Sequence, residues 1–159
     1  MAAETLASVR SATTFPVFSS HESGLLCVAF GQFTIAAAVE DGDIFEMCRV
    51  PAGAVVIGGW LQTDDLDTGG TEVLDLMVGW AANGDEVADP NGFAVADVFT
   101  GDPDEVYGGP GNLKFLGGVL ATAGPKTFNR ETLIQIEVNT AAAGGHVGNM
   151  TLVVQYLTP

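Results

Sequence analysis

The chain has 159 residues, 47% of them apolar, enough for one domain, or one domain with an arm, that buries a core. Its 20 acidic residues outweigh 5 basic ones for a net charge of −15. The bases, Arg10, Arg49, Lys114, Lys126 and Arg130, are scattered, which excludes nucleic-acid binding by phosphate neutralisation and electrostatic adhesion to anionic membranes.

Residues 1–22 show little alternation and are rich in Ser, Thr and Ala, with one apolar group, Phe15-Pro16-Val17-Phe18. They read as an extended N-terminal arm, with a single domain over 23–159. No secretory signal is recognisable in this stretch, and no window approaches the ~20 apolar residues of a membrane span.

Residues 32–39 alternate with a period of two, and Glu40-Asp41-Gly42-Asp43 follows as a turn. With 44–50 as the return strand, the pattern predicts a hairpin. Cys27 then falls outside the paired region and does not face Cys48, so both cysteines are expected as thiols. Pro51-Ala52-Gly53 should turn a corner where the chain passes from one sheet to the other, because Pro cannot donate a ladder hydrogen bond.

Residues 54–63 form the next predicted strand, with a bulge or bend at Gly58-Gly59. Residues 64–70 are a loop, and 71–82 a strand. Loops over 83–92 and 100–112 flank 93–99, which reads as a short helix or irregular segment, with a strand as the alternative. Residues 113–123 read as a strand. Residues 131–140 alternate most cleanly, setting Thr132, Ile134, Ile136 and Val138 against Leu133, Gln135, Glu137 and Asn139. After a loop over 141–149, residues 150–159 close the chain as a strand. Seven or eight strands divided by turn signals predict an all-β sandwich or barrel.

Chemistry-bearing residues form no recognisable set. His21 has Ser20 and Glu22 as neighbours, but adjacent residues on a strand point to opposite faces, and no nucleophile elbow is present. His146 lies in a loop. The two His and two Cys lack the short spacing of a zinc site. Calcium is the one metal the composition suggests, because Asp64–Asp67, Asn83–Gly92 and Gly101–Glu105 crowd carboxylates among Gly and Pro; none matches an EF-hand loop, and solvated acidic loops are the simpler reading. Trp60 and Trp80 each follow a Gly on a predicted strand and read as core or subunit-interface residues rather than a sugar-stacking pair. The expectation is a non-enzymatic protein with no cofactor.

One stretch carries a resemblance. Gly31 to Trp80 runs through an alternating strand, the Asp-Gly-Asp turn, "RVPAGAVV", "DDLD" and a strand ending in "VGW". This resembles the capsid decoration, or cement, proteins of tailed bacteriophages, and the closing strands to Pro159 resemble them more loosely. The resemblance implies a jelly-roll β-sandwich, often trimeric, that sits on the outer surface of the virion head and clamps neighbouring major capsid proteins. Phe15, Pro16, Val17, Phe18 and Trp60 are then the candidate capsid or subunit contacts. The alternative is a tail- or fibre-associated module that binds host glycans.

Overall fold

The structure, a computed structural model, describes residues 5–8, 25–68, 73–94 and 112–158. Among the described residues, ten strands and one helical turn follow in chain order: β1 (Thr5–Ala7), β2 (Leu26–Ile35), β3 (Ile44–Val50), β4 (Val55–Thr63), β5 (Asp75–Trp80), β6 (Asp89–Ala94), β7 (Asn112–Phe115), α1 (Val119–Thr122), β8 (Lys126–Thr127), β9 (Thr132–Thr140) and β10 (Gly148–Leu157). They build an all-β sandwich. The first sheet has the order β1-β3-β9-β5-β6, and the second β2-β10-β4-β7 with β8 also on β4. All pairings are antiparallel except β1 on β3.

The chain passes from sheet to sheet at most of its connections, as expected of a jelly roll. The break at Pro51-Ala52-Gly53 is one such crossing, from β3 in the first sheet to β4 in the second. Gly53 has φ of 82°, a region L side chains avoid, and its N–H donates to the Phe128 carbonyl at 2.7 Å. The corner is thereby tied to the segment that leads into β9.

The core lies between the sheets. Ile134, Ile136 and Val138 of β9 and Phe45, Met47, Cys48 and Val50 of β3 face Met150, Leu152, Val154 and Tyr156 of β10 and Val56 and Leu61 of β4. Simple alternation would not bury both Met47 and Cys48. A register shift between Glu46 and Cys48 leaves Met47 as the extra residue, and this bulge brings both inside. A second shift, opposite Gln155 and Tyr156, falls beside the predicted glycine pair, with Ile57 as the unpaired residue.

The structure corrects four local expectations. The hairpin of 32–39 with 44–50 does not form. β2 spans 26–35 and pairs with β10, whereas β3 pairs with β9 in the other sheet. The Asp-Gly turn is present, with the Asp43 N–H on the Glu40 carbonyl at 3.1 Å. It docks on β9 instead, where Gly42 N–H reaches Val138 O at 2.8 Å and Val138 N–H reaches Asp43 O at 2.9 Å. β9 offers a ladder that a local return strand would otherwise have supplied.

Secondly, Phe93 and Ala94 end a strand, β6, rather than opening a helix; residues 95–99 lie outside the described residues. Thirdly, β6 starts at Asp89, inside the predicted loop, and its Pro90 is tolerated because β6 is an edge strand. Fourthly, the strand expected over 113–123 stops at Phe115, and Val119–Thr122 forms a helical turn after Gly117-Gly118. No disulfide joins Cys27 and Cys48.

Of the predicted arm, Thr5–Ala7 pairs with Ile44–Glu46 of β3, and Ser8 donates through its N–H to Glu46 O at 2.7 Å and through Oγ to Met47 O. Phe15, Pro16, Val17 and Phe18 lie outside the described residues.

Candidate interaction face

Three carboxylates of the described turns, Asp41, Asp64 and Asp67, accept from backbone donors. The buried Asp67 carboxylate accepts from the N–H groups of Val73 (2.8 Å), Leu74 (3.2 Å), Ala143 (3.0 Å) and Gly144 (2.8 Å). Asp64 accepts from the backbone and side-chain amides of Asn149 at 2.8 and 2.9 Å, and Asp41 accepts from Ala141 N–H at 2.5 Å. These carboxylates do the work of turn caps, holding the 141–149 loop against its neighbours. Among the described residues no cluster of three or more His, Cys, Asp or Glu is arranged to hold a metal ion. Gly101–Glu105 and His21 lie outside the described residues. His146 is exposed, and its N–H donates to Leu66 O at 3.1 Å.

Trp80 is a core residue, edge-on to Phe93 and Phe128 with ring centroids 5.1 and 5.4 Å away. Lys126 Nζ stands 4.8 Å from the Trp80 ring and 2.6 Å from the Glu86 carboxylate. Tyr156, register partner of Cys27, is buried. Burial pushes its phenol up to about 12, with Cys27 and then Cys48 adding to the effect, so it is neutral at physiological pH.

Trp60 has a different setting. It lies on β4 opposite Val153 of β10, which lies opposite Phe30 of β2; on its other side Trp60 lies opposite Phe115 of β7. Directly opposed residues share a face, so the register aligns Phe30, Val153, Trp60 and Phe115 in one row across the second sheet, on the side away from the core. Two residues along β2 lies Val28, then Leu26 opposite Leu157, which in turn opposes Val55. The bulged Ile57 is exposed on the same strand as Trp60. Phe115 is 76% exposed, Leu26 57% and Val28 48%.

Among the described side chains, the polar members Gln32, Thr151 and Gln62 are uncharged. Gln32, Thr151, Gln62 and Leu113 form the next row, and Thr34 donates to Asn149 at 2.8 Å beyond it. Lys114 is the register partner of Leu61. The first acid along β4, Asp64, comes just past the strand end. On the first sheet, by contrast, Glu46, Arg49 and Glu137 are partly exposed. The signal for this face was available in β2, where "LCVAFGQFT" alternates apolar residues on both sides; a strand with one solvated face normally alternates apolar with polar.

No family model matches the sequence, and no curated protein matches it. Solved structures do. The fold is similar to a chain of the capsid of Ralstonia phage GP4, with a TM-score of 0.77 and 21% identity over 98% of each chain. It is similar to a chain of the capsid asymmetric unit of cyanophage Pam1, with a TM-score of 0.66 and 23% identity over 92% of this chain and 95% of that one. A chain of the acid-stable capsid of Helicobacter pylori bacteriophage KHP30 matches with a TM-score of 0.56 and 15% identity, over 87% and 91%. At these identities the likeness is one of fold, and it extends along nearly the whole chain.

Proposed function

We propose that this chain is a structural component of a tailed-phage virion, a decoration protein that binds the outside of the head and clamps neighbouring major capsid proteins. The observation that carries this reading is the near full-length match to chains of three phage capsid structures. A match that covers almost all of both chains compares whole folding units of one size, not a shared motif. A trimer on the outer surface is part of the proposal, as is the absence of catalysis and of a bound cofactor.

The physical character of the chain fits. A decoration protein acts by being a rigid surface. Two packed sheets, with loop backbones tied by Asp41, Asp64 and Asp67, supply rigidity. A net charge of −15 keeps free copies soluble until they meet their partner.

The test is to add purified protein to heads that lack it and follow genome release on heating. The reading expects bound heads to withstand higher temperature than bare ones. Equal release temperatures at saturating protein would overturn the clamping role.

A further inference from the structure

We propose that the chain docks on the shell by the end of the sandwich at the Pro51-Ala52-Gly53 corner, with Leu26 and Val87 among the contacts, and that its opposite end points away from the head. The inference rests on the decoration reading and names the surface which that reading requires.

Charge is divided between the two ends. At one end β3, β5 and β10 begin and β2, β4 and β9 finish. The turns there hold Glu40, Asp41 and Asp43 before β3, Asp64, Asp65 and Asp67 after β4, and Asp75 at the start of β5. Asp41, Asp64 and Asp67 all bond to residues of the 141–149 segment, which gathers these turns together. Among the described residues this end has no Lys or Arg. At the other end acids and bases are matched. Arg49 meets Glu131 at 3.3 Å, Arg130 meets Asp85 at 2.6 Å and Lys126 meets Glu86 at 2.6 Å, with Asp89 as the acid beyond these pairs.

Docking takes charges out of water. A covered carboxylate without a cation is costly, whereas a paired charge brings its partner with it. The acidic end therefore needs a partner rich in Lys and Arg, and three of its carboxylates are already engaged by backbone N–H groups. The paired end asks no compensating charge of its partner.

The paired end also offers apolar contact. Val87 is 83% exposed on the turn between β5 and β6. Asn83 fixes that turn by accepting from the Asp85 and Glu86 N–H groups at 3.0 and 2.8 Å, so little order remains to be gained on docking. On the second sheet Leu26, Leu157 and Val55 are register partners in the row nearest this end, and Leu25 is exposed next to them. Val73 and Val147 are exposed at the acidic end, but among acids with no base. The surface that fits the paired end is an apolar area of the major capsid protein without a basic cluster.

The experiment is co-sedimentation of the full-length protein with heads that lack it, at low and high salt, for the wild type and three variants. Val87→Asp and Leu26→Asp place a carboxylate on the paired end. Asp65→Lys reverses an exposed acid of the other end. The inference expects wild-type binding that does not weaken as salt rises, a loss of affinity on the order of tenfold or more in the first two variants, and Asp65→Lys binding at least as well as the wild type. Circular dichroism should be unchanged in all three; Val87 is exposed enough that its variant tests the contact even if Leu26→Asp folds poorly. Binding that salt weakens and Asp65→Lys impairs, with Val87→Asp unaffected, would overturn the inference in favour of an acidic end seated on a basic shell surface. Equal binding by all four proteins would overturn it too, and either result leaves the decoration role standing. A wild type that never binds heads removes both.

Discussion

Gly31 of β2 lies against the backbone of Met47 in β3: a β-carbon at position 31 would stand 2.1 Å from the Met47 carbonyl oxygen. The edge strand of one sheet here meets a strand of the other with no room for a side chain, and the obstacle is backbone, which cannot rotate away. The same carbonyl accepts the Ser8 hydroxyl, so β1, β2 and β3 converge at Met47. Gly31→Ala should therefore cost about 1–3 kcal/mol, as overpacking does, and lower Tm by several degrees. Thermal unfolding followed by circular dichroism checks this; a Tm within a degree of wild type would mean the sheets separate freely there.

Asp67 presents one carboxylate to four backbone N–H groups from two segments distant in sequence. Hydrogen bonds to a charged group are worth more than neutral ones, and buried donors left without a partner are costly. Asp67→Ala should destabilise by about 3 kcal/mol or more in urea titration, and amide exchange at Ala143 and Gly144 should rise. Because those donors already occupy the carboxylate, EDTA should leave the wild-type Tm unchanged. A drop on chelation would reveal a cation bound in the acidic loops.

Tyr156 fixes an alkaline limit. Its phenol is raised from 10 to about 12, so the folded state holds a proton that the unfolded chain releases earlier. The associated stability is complete below pH 10 and is lost as pH rises through the folded value near 12. Unfolding free energy should fall between those limits, and Tyr156→Phe should flatten the fall. A slope identical in the two proteins would show that the phenol is not its source.

Lys126 joins an ion pair to two aromatic faces, 2.6 Å from Glu86 and 4.8 and 5.3 Å from the rings of Trp80 and Phe128. Partial burial makes the cation–π contacts worth about 1 kcal/mol, and the ion pair a comparable or smaller amount. Lys126→Gln should cost about 1–2 kcal/mol, and Glu86→Gln less, since it leaves the ring contacts in place. Equal losses in a double-mutant cycle would assign the whole effect to the ion pair.

Much of the sandwich was legible in the sequence where alternation was strict. Residues 131–140 predicted β9 nearly to its ends and its two faces; the structure turns Ile134, Ile136 and Val138 inward. Pro51-Ala52-Gly53 announced the crossing between sheets, because a missing donor and a positive φ are local properties. Pairing was not legible. An Asp-Gly turn predicts its own geometry, but whether the flanking strands meet depends on what else is available, and here β9 and β10 compete successfully for both. The roles of Asp64 and Asp67 were also hidden: a carboxylate that caps a distant loop looks, in sequence, like any other acid in a polar turn. Trp60 was singled out as a contact residue, but the uncharged row around it emerges only from the register of four strands.

The central claim is a structural role on the phage head, and copy number tests it most directly. On this account, quantitative mass spectrometry of purified virions should find the chain at a number comparable to the major capsid protein. A few copies per particle would point instead to the tail and to receptor binding, and complete absence from particles would contradict the account.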